Sequence, residues 1–254
     1  MATGTSRRQV FLSAQWRGLA MMNWAVEPEL VLPYVPRGTK LDFHEGKTYV
    51  SAVGFLFLDT YLLGLPIPWH RHFEEVNLRI YVQRQEGEER RRGVAFVKEI
   101  VPRWAIATVA RLAYNEPYVS RKMRHTLSQY DPRTSRFETS PTVRYEWKNH
   151  PDWLGLEVTG QGNRHPLIPG SHAEFIAEHY WGYCPQRNGG TIEYQVEHPP
   201  WNVWDGGSSK LLGDVASFYP PEFADVLRRP ADSAFLADGS AVKVFKPRWL
   251  PKEG

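Results

Sequence analysis

The chain has 254 residues, 42% of them hydrophobic and 13% aromatic, including ten Trp, a composition that excludes disorder and supplies a large core. Its 31 basic and 28 acidic residues leave a formal net charge of +3, too small an excess for the basic footprint of a nucleic-acid binder. A single cysteine, Cys184, excludes an internal disulfide and reads as a buried structural thiol in a reducing compartment.

Residues 1–9 are short, polar and basic, and Gln15, Trp16 and Arg17 interrupt the apolar residues after them, so no signal peptide is expected. Apolar runs such as residues 50–58 are too short to span a bilayer, and the expected location is cytoplasmic. Residues 15–26 read as a strand and 28–32 as a short helix. Pro28 sits early in that helix, where a missing N–H costs nothing, and Pro33 and Pro36 end it. Residues 47–58 form an almost wholly apolar strand, covered on both faces, followed by a Pro-rich connection over 62–72. Residues 73–84 alternate strictly. Glu75, Asn77, Arg79 and Tyr81 fall on one side and Val76, Leu78, Ile80 and Val82 on the other, the period of a strand with one polar and one apolar face.

The mixed charges of residues 86–93 read as a solvated hairpin tip, with residues 93–100 as the returning strand. Residues 102–114 carry apolar side chains at helical spacing, and residues 143–147 and 154–159 form a second hairpin. Residues 171–180 read as a helix with Ser171 as N-cap and Glu174 completing a capping box. A strand over 191–197 stops before Pro199 and Pro200, and the tail holds one or two short helices and a last strand at 241–245. There is no repeat and no linker. The expected organisation is one domain over residues 1–254, with 1–12 and 251–254 as mobile ends. Strands outnumber helices and succeed one another by hairpins, which defines an α+β protein with a largely antiparallel sheet.

The Glu75-x-Asn77-x-Arg79-x-Tyr81 row is the first candidate site. It combines a carboxylate, an amide, a guanidinium and a phenol, and the planar fork of Arg79 suits a carboxylate. Buried, such a row needs partners or a ligand. A second constellation, Glu178-His179-Tyr180 with Glu197-His198-Pro199-Pro200-Trp201, lacks metal-ligand spacing. Lys98 and Lys122 are the amines considered for Schiff-base chemistry and read as ordinary surface lysines. There is no nucleophile elbow, phosphate loop or dinucleotide fingerprint.

Several stretches recur together in one known group. They are Trp24-Ala25-Val26 with Glu29-Leu30, residues 33–38, Tyr49-Val50-Ser51 with Phe55, residues 73–82, Gly93-Val94-Ala95-Phe96, Ala110-Arg111 with Pro117-Tyr118, Gly170-Ser171 with Phe175 and Glu178, and His198-Pro199-Pro200-Trp201. In this order, over residues 14–210, they resemble the uncharacterised YqjF-like family of the acetoacetate decarboxylase-like superfamily. The resemblance implies a closed, cone-like antiparallel β structure with a central cavity and a few flanking helices. In the decarboxylases a cavity lysine forms a Schiff base with a β-keto acid. At the matching place this chain has Tyr118 and Val119, which implies chemistry without that amine. Glu75 then corresponds to a cavity glutamate and Arg79 to its companion.

The residues support two functional readings. In the first, the cavity holds a small carboxylate or carbonyl compound. Arg79 and Glu75 are the catalytic candidates, Arg79 pairing with the anionic group and Glu75 acting as acid or base. Asn77, Tyr81, Tyr118, His198 and Trp201 contact the substrate, and Trp24, Trp104 and Trp201 form apolar walls. No metal and no cofactor are expected. The expected partner is a small, anionic molecule, with no nucleic acid and no membrane; a homo-oligomer is left open. In the second reading, Glu75, Asn77 and Arg79 satisfy one another in a non-catalytic structural or ligand-sensing core. Whether a reaction is catalysed is left open between them.

Overall fold

The computed structural model describes residues 8–66, 71–102, 117–131, 136–137 and 139–251. The helix expected over 102–114 and the wall residue Trp104 lie outside the described residues, apart from the edge at Pro102. In chain order the strands are β1 (Val10–Val26), β2 (Lys40–Leu41), β3 (Thr48–Leu62), β4 (Leu65–Pro66), β5 (Phe73–Glu86), β6 (Glu89–Val101), β7 (Tyr118–Ser120), β8 (Met123–Leu127) and β9 (Tyr130–Asp131). They continue with β10 (Arg136–Phe137), β11 (Thr142–Asn149), β12 (Asp152–Pro166), β13 (Trp181–Pro185), β14 (Thr191–Glu197), β15 (Asn202–Leu212), β16 (Ser233–Ala237), β17 (Ala241–Phe245) and β18 (Arg248–Trp249). The described helices are short: Pro28–Val31, His172–Ala177 and Ala224–Arg228, with 3-10 turns at Leu32–Tyr34, Val215–Phe218 and Pro221–Phe223. Among the described residues no helix is long and apolar enough to cross a membrane.

β1 organises the sheet because it is long enough to pair along both edges, one of them with two strands in succession. One edge pairs with β3 from Leu12 to Val26. The other pairs with β17 from Val10 to Gln15 and with β16 from Leu19 to Asn23. Pairing therefore runs β1–β3–β5–β6–β13–β14–β17 and returns to β1. A second limb leaves β1 through β16, β15, β12, β11 and β8. Neighbours are antiparallel except β13 on β6 and β7 on β6.

Both faces of this sheet are covered. Val76, Leu78, Ile80 and Val82 of β5 join one core with Trp147, Leu156 and Phe223. Phe73 and Tyr81, from the opposite face, join another with Val53, Phe55 and Phe175. The apolar run of β3 has the same cause: Val50, Ala52 and Leu56 enter the first core, and Val53, Phe55 and Phe57 the second. The row of β5 that looks polar in sequence is thus an interior row, and its charges are placed where burial is expensive.

The charged turn after β5 departs from a solvated tip. Arg90 and Arg92 each reach the buried carboxylate of Asp42 at 2.7 Å, and Arg91 pairs with buried Glu193 at 2.8 Å. The hairpin sets its cations on Asp42, just after β2, and on Glu193 of β14, while Glu89 and Arg90 at the start of β6 stay exposed together with the turn. The helix expected over 171–180 is shorter, His172–Ala177, with Ser171 Oγ accepting from Glu174 N at 3.2 Å. Glu174 accepts from the Gly170 amide at 2.6 Å, one residue before the cap.

Candidate functional site

Glu75, Asn77 and Arg79 project from the inner face of β5 into a pocket of about 210 Å³. Glu75 is 3% exposed. Its carboxyl group accepts from Asn77 Nδ2 at 3.1 Å and from Tyr118 Oη at 3.2 Å. Burial pushes its pKa up to about 7, against the lowering effects of these two hydrogen bonds and of the Arg79 charge. A carboxyl that shares its time between neutral and ionised forms near pH 7 suits proton transfer in either direction.

Arg79 is half-buried and its contacts orient it without neutralising it. Nη2 donates to Ile176 O at 3.1 Å, at the end of the helix His172–Ala177, and Nε donates to Tyr81 Oη at 3.3 Å. Tyr81 donates on to Ser51 Oγ at 2.7 Å, and Ser51 to Asn23 Oδ1 at 2.6 Å. Asn23 Nδ2 donates to Ser233 Oγ at 3.1 Å, which bonds His172 Nε2 at 2.8 Å. Tyr81 is fully buried within this chain and is not among the residues that line the pocket. Among the described residues no carboxylate oxygen lies within 4.0 Å of the Arg79 guanidinium. Its charge acts on Glu75, His179 and His198, all of which line the pocket.

Tyr118, His198 and Trp201 line the same pocket. His198 stacks on Trp201 with ring centroids 4.1 Å apart and bonds Pro199 O through Nδ1 at 3.0 Å. Burial holds its pKa below the ordinary imidazole value. Trp201 Nε1 donates to Ser240 Oγ at 2.9 Å. Of the expected aromatic walls, Trp24 lies elsewhere: it is fully buried in the other core with Nε1 donating to Arg229 O at 3.2 Å. Trp16 and Trp181 take that role instead.

Two of the acids and histidines in the lining were not among the sequence candidates for the pocket. Glu99 of β6 is buried and stands opposite Asn77. His179 comes just after the helix, with Nε2 on Asp42 Oδ2 at 3.1 Å. Burial pushes the His179 pKa down to about 4, the Arg92 charge adding to it and Asp42 opposing it. The ring is therefore neutral at pH 7. Asp42 itself, although burial pushes it up, is held well below the usual carboxylate range by His179 and Arg92, so Nε2 carries the proton and donates it. Neither Lys98 nor Lys122 lines the pocket. Lys98 bonds Phe218 O on the other face of the sheet, with its ammonium 4.4 Å from the Phe218 ring. Cys184 is buried. Among the described residues no three potential metal ligands come together.

This constellation sits on the acetoacetate decarboxylase-like fold. The crystal structure of acetoacetate decarboxylase from Legionella pneumophila subsp. pneumophila str. Philadelphia 1 aligns with a TM-score of 0.66 at 12% identity, covering 99% of this chain and 92% of that one. The enduracididine biosynthesis enzyme MppR complexed with pyruvate aligns with a TM-score of 0.63 at 11% identity, covering 98% and 93%. At such identities the likeness is one of fold. The chain belongs to the DUF2071 family of uncharacterised conserved proteins, whose model matches residues 13–241. It is also 32% identical over 68 residues to the uncharacterised protein YqjF of Bacillus subtilis (strain 168), a match spanning 26% of this chain and 28% of that relative.

Proposed function

We propose that the ring of strands forms a closed cone and that its interior binds a small carboxylate or carbonyl compound. The observation that carries this reading is Arg79: a pocket-lining guanidinium oriented by a tyrosine and a helix carbonyl, with no carboxylate among the described residues to neutralise it. A half-buried cation in this state attracts an anion that fits its fork. Every strand of the ring contributes to the lining, from Leu12 of β1 and Phe55 of β3 to Gly182 of β13 and Val244 of β17, which supports an interior site over a surface groove. MppR, which shares the fold, has been captured with pyruvate.

In this reading Arg79 pairs with the anionic group and Glu75 gives or takes a proton beside it. Asn77 and Tyr118 hold the Glu75 carboxyl in place by their hydrogen bonds. No lysine lines the pocket among the described residues, so the chemistry proposed is proton transfer without an imine. The second reading, a self-satisfied core network, draws its support from the chain of bonds joining Arg79 to His172 through Tyr81, Ser51, Asn23 and Ser233.

Arg79→Met separates the two. Small carboxylic acids, keto acids and aldehydes are screened for a rise in melting temperature, which scales with RT ln(1 + [L]/Kd). A pocket role predicts that the acids raise the wild-type Tm, that Arg79→Met abolishes the rise, and that its own Tm stays near wild type. A structural role predicts no shift with any compound and a variant destabilised by about 3–5 kcal/mol, as for a broken buried network.

A further inference from the structure

We propose that the ligand is a hydroxy acid with an apolar, aromatic-sized arm, in preference to the corresponding keto acid. The inference rests on the reading of the pocket as a carboxylate site and narrows its substrate class.

The first argument concerns acceptors. Asn77 Oδ1 and His179 Nδ1 are buried, and neither has a hydrogen-bond partner among the described residues. Both residues line the pocket. The amide of Asn77 is oriented by its bond to Glu75, with Nδ2 donating, so the oxygen is what it offers elsewhere. The imidazole of His179 is neutral and donates through Nε2 to Asp42, which leaves Nδ1 as a bare lone pair. A buried acceptor left unmet is costly, and a site built around one discriminates strongly between ligands with and without the matching donor. A keto oxygen is itself an acceptor and answers neither atom. A hydroxyl donates to one while the carboxylate takes Arg79. An ammonium would also donate, but it would share the pocket with the unneutralised Arg79 charge, so the hydroxyl is favoured.

The second argument concerns the far end. Along the inner face of β5 the lining changes from Arg79, Asn77 and Glu75 to Phe73, and the aromatic wall returns towards the guanidinium through Trp16, whose ring lies 6.3 Å from those of His198 and Trp201, with the Arg79 charge acting on His198. Phe73 stacks on Phe57 of the paired strand at 4.6 Å and 12°, and Trp16 packs on Phe55 and Phe57 at 5.1 and 5.8 Å. All four line the pocket. A short polar acid would leave this wall uncovered, whereas a ring or similar apolar arm would bury against it.

The test is calorimetric titration of the full chain with four probes: lactate, pyruvate, 3-phenyllactate and phenylpyruvate. The expected result is that 3-phenyllactate binds at least about ten-fold more tightly than phenylpyruvate and than lactate, a tenfold step being about 1.4 kcal/mol. In Asn77→Leu the ratio of 3-phenyllactate affinity to phenylpyruvate affinity should fall, whatever the change in either affinity alone. Keto acids binding as tightly as hydroxy acids, with loss in Arg79→Met, would overturn the hydroxy-acid assignment and leave the carboxylate site standing. Lactate matching 3-phenyllactate would overturn the apolar arm. No binding by any of the four would overturn both the inference and the site beneath it. The comparison within wild type decides the matter even where Asn77→Leu does not fold.

Discussion

The raised Glu75 pKa makes a prediction about stability that needs no ligand. The ordinary value is 4.5 and the folded value about 7, with burial as the main cause. Between these values the folded protein holds a proton that the unfolded chain has released. Stability therefore falls as pH rises from about 4.5, and the penalty is complete above about 7. The gap corresponds to about 3 kcal/mol at 1.36 kcal/mol per pH unit. Glu75→Gln removes it, because the amide stays neutral at every pH and can still accept from Tyr118 or Asn77. Thermal melts of both proteins are compared from pH 4 to pH 8.5, roughly bracketing the titration. Taking the difference cancels the groups they share. The variant should gain about 3 kcal/mol on wild type across this range, roughly 6–12 °C in Tm for a chain of this size. A difference that stays flat, or that moves in favour of wild type as pH rises, would refute the buried, half-ionised Glu75 on which the acid–base role depends.

Tyr118→Phe deletes a hydrogen bond that favours ionised Glu75. A carbon-13 NMR titration of the Glu75 carboxyl should move further up in the variant, and an unchanged midpoint would remove Tyr118 from the site. Asp42→Asn leaves Arg90 and Arg92 facing an amide in place of a buried carboxylate. Chemical denaturation at pH 7 should register a loss of about 3 kcal/mol. Because the folded Asp42 pKa is depressed below its ordinary 3.8, that contribution is present above this value and disappears as pH falls through the folded pKa. The gap between wild type and Asp42→Asn should therefore close in strong acid; a gap that persists there would deny Asp42 its ion pairs.

The parts of the fold that are readable in the amino-acid order are those where a short-range pattern and the tertiary environment agree. The period-two row of β5 is legible because both of its faces pack, one on Leu156 and Phe223 and the other around Phe55. β17 occupies the residues its apolar run suggests, Ala241–Phe245. β15 is hidden, because Asp205-Gly206-Gly207-Ser208-Ser209 has the composition of a loop. In the sheet, Gly206 is there for space: a Cβ would lie 2.3 Å from Ala234 O on the neighbouring strand. His179 is obscured differently. The apolar periodicity carries the helix past it, but the helix stops at Ala177, and the non-helical backbone beyond it turns the ring onto Asp42.

Glu99 depends on register, the property that sequence patterns specify least. The hairpin tip pairs Glu86 with Glu89, and counting back from it without interruption sets Lys98 opposite Asn77. The irregularity between Leu78 and Arg79 admits one extra residue on β6, so that Leu78 meets Lys98 and Asn77 meets Glu99. That one residue decides the chemistry of the pocket. With it, the lysine leaves for Phe218 on the opposite face and a carboxylate joins Glu75 and Asn77 in the lining. Without it, an amine would stand beside Glu75. Two neighbouring residues, Lys98 and Glu99, thus encode two different pockets, and the bulge selects the one that has acids and no amine.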